Sequence, residues 1–469
     1  MTSVCLPGLG RVAKLAKRED YASLRQKRPW QRAPRQSRAG REGIMTDDKI
    51  FSKMAWRLLP FIMLLYVVNY IDRVNVGFAA LTMNKDLGLS PAAYGFGASI
   101  FFVGYLIFQV PANLILEKIG ARRWMFIILA VWGLLSASNA FMQGEYSYYA
   151  LRFLLGVAEA GFFPGMLLYM TYWFPQSWRS RFVGIFMAAI PLANIIGGPL
   201  STSILGMEGI GGLHGWQWMF ILEGLPASLL AFVSLKFLPD RPASASWLTD
   251  EEKRTVAQRL KKDEGTSDHR DFWPALTDPR VIALGLVLLG NQIGLYGVQL
   301  WLPQIVKEMG FTTFWTGPVV SLCFIAAMVV MIYWARRSDA KGERIYHVAI
   351  PLLLGASGLM VAAVAQSNFL VLLSLAVALV GTLAYNGPFF SLPSTFLAGT
   401  AAAGGVGFVN TIGSLGRFIG PYGVGVLKQS SGGYSSSMAF MGAAMLMSAL
   451  IVLAMGRKMG TRKVAVKPV

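Results

Sequence analysis

From residue 56 onward the chain repeats one pattern, an apolar run of spanning length followed by a polar turn. About 20 apolar residues are what an α-helix needs to cross a hydrocarbon core about 30 Å thick. Such runs fall near 56–81, 92–116, 123–142, 147–174, 181–205, 217–238, 279–303, 314–335, 345–366, 368–392, 404–427 and 435–456. One long polar interval interrupts them, PDRPASASWLTDEEKRTVAQRLKKDEGTSDHRDFW from Pro239, and its T-x-x-E at Thr249 predicts a capped amphipathic helix. The pattern predicts an all-α integral membrane protein of twelve transmembrane helices in two pseudo-symmetric six-helix bundles, residues 55–238 and 276–457. A linker at 239–275 joins them, with tails at 1–54 and 458–469.

An internal repeat supports the division. Asn69 and Asn291, Gly120 and Gly342, Arg122 and Arg344, Gly198 and Gly420, and Pro199 and Pro421 all lie 222 residues apart, and Glu117 and Asp339 share that offset. E-x-x-G-x-R and D-x-x-G-x-R therefore recur in equivalent loops, where Gly supplies a tight turn. Two halves related in this way, with a binding site between them near the midplane, form one of the standard transporter plans.

Composition agrees: 54% of residues are hydrophobic and 14% charged, against about a quarter charged in soluble domains. A net charge of +19 would point to nucleic acid in a soluble chain. Here the cations gather in the tails, the central loop and alternate short loops (Lys118, Arg122, Arg123, Arg179, Arg336, Arg337, Lys341, Arg344), while the other short loops hold Lys85, Lys307 and Lys428. The positive-inside rule then puts both termini and the linker in the cytoplasm, beside an anionic leaflet, with no nucleic-acid partner. Residues 1–44 are basic, contain no signal-peptide core and are expected to be disordered, and Met45 is an alternative start. Cys5 and Cys323 offer no ligand spacing, so no metal site and no cofactor other than protons as coupling ion are expected.

Two spans carry charge where it is expensive. NYIDRVN, from Asn69, sets Asp72 beside Arg73, and RFLLGVAEAGFFPGMLLYMTYWFP holds Arg152 and Glu159. Each charge costs about 2.5–3.5 kcal/mol at the bilayer centre, and the default explanation is a substrate or proton path. Arg152 and Glu159 share a helix face about 10.5 Å apart, Asn69 and Arg73 lie one turn apart, and Asp72 points about a quarter turn away. A guanidinium grips carboxylates in a bidentate fork, whereas a carboxyl in a low-dielectric site is suited to carrying a proton. The expectation is that these groups face a shared, water-lined hollow; the competing reading is ion pairs that merely lock the first and fourth spans together.

LEKIGARRW, from Leu116, and SDAKGER, from Ser338, resemble the signature between the second and third helices of the major facilitator superfamily, with Glu117 in place of the usual Asp. NYIDRVN, the Arg152 stretch and GWQWMFILEGLPA at 215–227 are similar to that superfamily's anion:cation symporter branch, most of all to bacterial tartrate and aromatic-acid carriers. The resemblance covers nearly everything from Met45 onward. It implies a monomer in a bacterial inner membrane that imports an organic acid by proton symport. It further implies that Asp72 and Glu159 couple protons, that Arg73 and Arg152 bind the anion, that Tyr70 and Tyr105 touch substrate, and that Glu117, Gly120, Arg122, Asp339, Gly342 and Arg344 form the cytoplasmic gating motif.

In the second half Asn386 and Asn410 are polar groups at cavity depth, open to either substrate contact or packing. Arg417, in the small-residue helix SLGRFIGP, either snorkels outward or meets a substrate's far carboxylate, which would favour dicarboxylates. Glu223 reads as a shallow, solvated helix-end group, and His214, His269 and His347 fall in loops or at span ends. Gly and Pro crowd the fifth, tenth and eleventh spans, Pro191, Pro388 and Pro421 among them, and predict close packing and bends. Drug:proton antiporters carry a longer glycine motif on the fifth span, whereas Leu200, Ser201, Thr202 and Ser203 follow Gly198 and Pro199 here. Exchange or uniport without protons, drug export and a ligand sensor are the alternatives; no phosphate loop or nucleophile elbow indicates an enzyme.

Overall fold

The computed structural model describes residues 38–264, 277–393, 396 and 399–459, and among these it contains helices and turns but no β-strand. The expectations for residues 1–37, for the linker at 265–276, which includes His269, and for the tail from residue 460 lie outside the described residues. The chain divides into residues 1–52, helical from residue 38, and residues 53–469, whose packing follows.

The first half contains α1 (Arg38–Asp86), α2 (Pro91–Ile119), α3 (Ala121–Ser138), α4 (Glu145–Glu159), α5 (Phe162–Trp173), α6 (Gln176–Met187), α7 (Ala189–Leu205) and α8 (Gly215–Phe237). The linker helix α9 (Asp250–Glu264) follows, capped as its sequence predicts: the Thr249 N–H donates to Glu252 Oε2 at 2.8 Å and the Glu252 N–H to Thr249 Oγ1 at 3.2 Å. The second half contains α10 (Pro279–Glu308), α11 (Thr313–Lys341), α12 (Ile345–Val364), α13 (Asn368–Ala384), α14 (Asn386–Phe390), α15 (Gly399–Ser431) and α16 (Ser435–Met459). Among the described residues eleven segments are long and apolar enough to cross a membrane. The remaining predicted span, 404–427, the eleventh in order, lies in α15, whose 33 residues are long enough but include Asn410, Arg417 and many glycines.

Three predicted spans are broken: α4 and α5 separate at Ala160 and Gly161, α6 and α7 at Ala188, and α13 and α14 at Tyr385. Each break adjoins the residue four before a proline, namely Pro164, Pro191 and Pro388. Proline has no N–H and its ring collides with the carbonyl four residues back, so the helix yields there. Pro199 leaves α7 unbroken, and the carbonyl it deprives of a partner, Ile195 O, accepts from Ser321 Oγ of α11 at 2.9 Å.

The halves meet chiefly through α2 against α15 and α7 against α11. Glycine makes both approaches possible: a Cβ on Gly95 would lie 2.7 Å from Pro421 O, and one on Gly317 2.2 Å from Gly198 O. Hydrogen bonds reinforce this seam. Tyr94 Oη donates to Leu300 O at 2.9 Å, the Ala92 N–H to Gln429 Oε1 at 3.1 Å, and Thr202 Oγ1 to Phe314 O at 3.2 Å. They gather at the end bearing the α1–α2, α7–α8, α10–α11 and α15–α16 loops, so the halves are closed against each other there.

Candidate functional site

The site grows from the periodicity of α1. Asn69 and Arg73, one turn apart, reach the last residue of α4, Glu159, just before the Pro164 break. Glu159 Oε2 accepts from Arg73 Nη2 at 2.8 Å and from Asn69 Nδ2 at 2.9 Å, and Arg73 Nη2 also approaches Asn69 Oδ1 at 3.3 Å. All three side chains are buried. The Arg73 guanidinium stands over the rings of Tyr105, Phe101 and Tyr70 at 5.1, 5.5 and 5.7 Å, contacts that favour a desolvated cation.

Arg152 lies two turns before Glu159 on α4, fully buried and 5.0 Å over the Phe101 ring. None of its three guanidinium nitrogens has a hydrogen-bond partner among the described residues. Phe101 is thus flanked by two cations, only one of which is paired.

The second half contributes amides, an aromatic ring and a cation. Tyr70 Oη donates to Gln299 Oε1 at 3.2 Å, and Gln299 Nε2 donates to Asn194 Oδ1 at 2.8 Å, joining α1, α10 and α7. The Arg417 guanidinium stands 5.6 Å over Tyr296, whose ring meets Phe102 of α2 edge-on at 4.8 Å. Arg417 therefore turns toward the other half rather than snorkelling outward. Gln299, Asn194 and Tyr296 are not among the residues predicted from sequence, although Gln292 and Gln299, seven apart and therefore on one face of an apolar span, were the available signal.

Other expected residues are not brought into this site. Asp72 does not share the Arg73–Glu159 surface: it is buried against α3, accepting from Trp132 Nε1 and Ser136 Oγ, with Asn75 Nδ2 at 3.2 Å. The quarter-turn offset from Arg73 sends it into the first bundle's own core. Asn386 Nδ2 donates to Leu383 O at 3.1 Å and Asn410 Nδ2 to Val406 O at 2.9 Å, both on the helix backbone beside them. Glu223 is not a shallow group: it is 5% exposed and accepts from Ser201 Oγ at 2.7 Å. Trp216, Met219, Phe220, Gly224 and Ala227 form its buried helical stripe, a spacing visible in the sequence.

In the two repeated loops glycine takes positive φ, 86° at Gly120 and 62° at Gly342. The Arg122 N–H donates to Asp240 Oδ1 at 2.8 Å, while Glu117 is exposed on the last turn of α2. In the second loop Arg344 Nη1 pairs with Asp339 Oδ1 at 2.7 Å.

Residues 62–421 match the family model described as Major Facilitator Superfamily. The chain is 46% identical over 422 residues to an Agrobacterium vitis protein named "Putative tartrate transporter", covering 89% of this chain and 94% of that one. It is 40% identical to the "Quinolone resistance transporter" of Acinetobacter baumannii, covering 89% and 97%. Among solved structures, the xylose transporter XylE from E. coli shares the fold with a TM-score of 0.67 at 16% identity, over 85% of this chain and 97% of that one.

Proposed function

The chain belongs to the Major Facilitator Superfamily and is a multi-pass membrane transporter rather than an enzyme, and from that premise we propose that it imports an organic acid anion together with protons. The observation that carries this reading is the charge balance of the site: Arg73, Arg152 and Arg417 converge, Glu159 is ion-paired with Arg73 alone, and among the described residues the Arg152 guanidinium has no hydrogen-bond partner. Buried cations without counter-ions call for an anion. Guanidinium groups separated by aromatic rings suit one with two carboxylates, in keeping with the tartrate named for the Agrobacterium vitis relative.

In the proposed cycle a proton from outside adds to Glu159 and releases Arg73. A substrate carboxylate then bridges Arg73 and Arg152, and its far end meets Arg417. The neutralised site closes and reopens inward, where Glu159 loses its proton, takes Arg73 back and displaces the acid. Each net positive charge carried inward gains about 2.3 kcal/mol per 100 mV of membrane potential. Under the positive-inside assignment the protein lies in a bacterial inner membrane with both termini cytoplasmic, which makes the closed end the outer one.

The name of the Acinetobacter baumannii relative favours a second reading, drug export. Thermal-shift titration of the purified carrier with tartrate, monocarboxylates, aromatic acids and a quinolone separates the two. Stabilisation by a dicarboxylate is expected; stabilisation by the quinolone alone would overturn organic-acid import.

A further inference from the structure

Behind α1, on the side away from Arg73, lies a second buried polar cluster that the cycle above does not use. α1 contributes Asp72 and Asn75, α3 Trp132 and Ser136, α7 Ser201, and α8 Glu223; all are buried, and Trp132, Ser136, Asn75 and Ser201 each donate to one of the two carboxyl groups. Arg152 of α4 attracts Asp72 without a hydrogen bond to it. Among the described residues neither acid forms an ion pair.

The two acids are not alike. Three donors, from Trp132, Ser136 and Asn75, fill the Asp72 oxygens, which suits an ionised carboxylate. Glu223 receives one, from Ser201 Oγ at 2.7 Å. Among the described residues its buried Oε2 has no hydrogen-bond partner. A carboxylate oxygen left unsatisfied in a dry interior, with no counter-ion, is unfavourable. A proton on Glu223 removes the charge that nothing there balances.

We propose that Glu223 is a further proton-carrying residue of this transporter, held as the neutral acid beside Ser201 while the α7–α11 seam is closed and exchanging its proton with water when that seam opens. The link to the seam is local. Ser201, the donor to Glu223, precedes Thr202, whose hydroxyl bonds Phe314 O of the other half at 3.2 Å, and Gly198 one turn earlier abuts Gly317. Parting the halves at this end moves the residue that holds Glu223. The exchange is a simple ionisation: the O–H bond breaks, water takes the proton, and the carboxylate remains until reprotonated. This role rests on the proton-symport reading, but the proton on Glu223 can be tested without it.

Infrared spectra of the purified transporter near neutral pH should contain a protonated-carboxyl C=O band that Glu223→Gln removes and Ser201→Ala shifts in frequency. Identical spectra in wild type and both variants would overturn the proposal, and the Ser201→Ala arm stands even where Glu223→Gln does not fold. In proteoliposomes Glu223→Gln should lower the proton-to-tartrate ratio while tartrate exchange persists. A wild-type ratio of zero would overturn symport and with it the transport role of Glu223. A wild-type ratio above zero that the variant leaves unchanged would overturn the role of Glu223 alone.

Discussion

Arg152 is held in a way that folding alone does not reward, fully buried and without a hydrogen bond among the described residues. Replacing it by Met removes an unpaired charge and breaks no bond, so the variant is expected to melt at the wild-type temperature or above. Tartrate binding should nevertheless weaken about ten- to a hundredfold, the loss of one charge-assisted contact; equal binding by both forms in titration calorimetry would remove Arg152 from the site. Glu159→Gln behaves oppositely. It strands Arg73, which costs about 3–5 kcal/mol when one partner of a buried pair is removed, and saturating tartrate should recover much of that loss in a melting experiment. The alignment of Asn69 with Arg73 was legible from spacing, as was the rotation of Asp72 away from them; the pairing of Arg73 with Glu159 of α4 was not. Where Asp72 then points, and how deep Glu223 sits, depends on which helices pack beside α1 and α8, and no spacing within one helix carries that.

At the scale of elements, loops and seams hold chemistry that the spans do not. Glu208 closes the turn before α8, accepting from His214 Nδ1 at 2.7 Å and from the Gly215 N–H at 2.7 Å. The hydrogen bond to Glu208 raises the His214 pKa above its ordinary 6.5, and the Gly215 N–H, then His214, hold Glu208 below its ordinary 4.5. A raised histidine stabilises fully below its unfolded pKa and ceases to do so as pH rises through the folded one. A lowered glutamate stabilises above its unfolded pKa and ceases as pH falls through the folded one. The contact should therefore be strongest between about pH 4.5 and 6.5. His214→Ala is expected to lower the melting temperature more at about pH 5.5 than at about pH 8.5, and a pH-independent difference would contradict it. The capped linker helix and the bends before Pro191 and Pro388 were readable from T-x-x-E and from proline. The break before Pro164 was hidden inside a stretch apolar enough to read as one helix.

At the scale of the molecule, the 222-residue repeat foretold two related halves but not an uneven division of chemistry. Asn69 has Asn291 as its counterpart, while Asp72, Arg73 and Glu159 correspond to Gly294, Leu295 and Gly381. The scaffold is doubled and the charges are not, so the second half adds mainly Arg417, Tyr296 and Gln299. What the halves do share is the glycine seam. Gly317→Ala would place its Cβ 2.2 Å from Gly198 O and 2.3 Å from Thr202 Oγ1, forcing the halves apart at that end. Spin labels at Lys85 and Ser430 should then report longer distances than in the parent, and an unchanged distribution would show that the seam tolerates a methyl. The central claim, that Glu159 exchanges a proton for Arg73 as the anion enters, is tested most directly by recording external pH when tartrate is added to proteoliposomes. The wild type is predicted to alkalinise the medium as tartrate enters, and Glu159→Gln to bind and exchange tartrate with no pH change. Tartrate accumulation by the wild type at constant external pH would contradict the account.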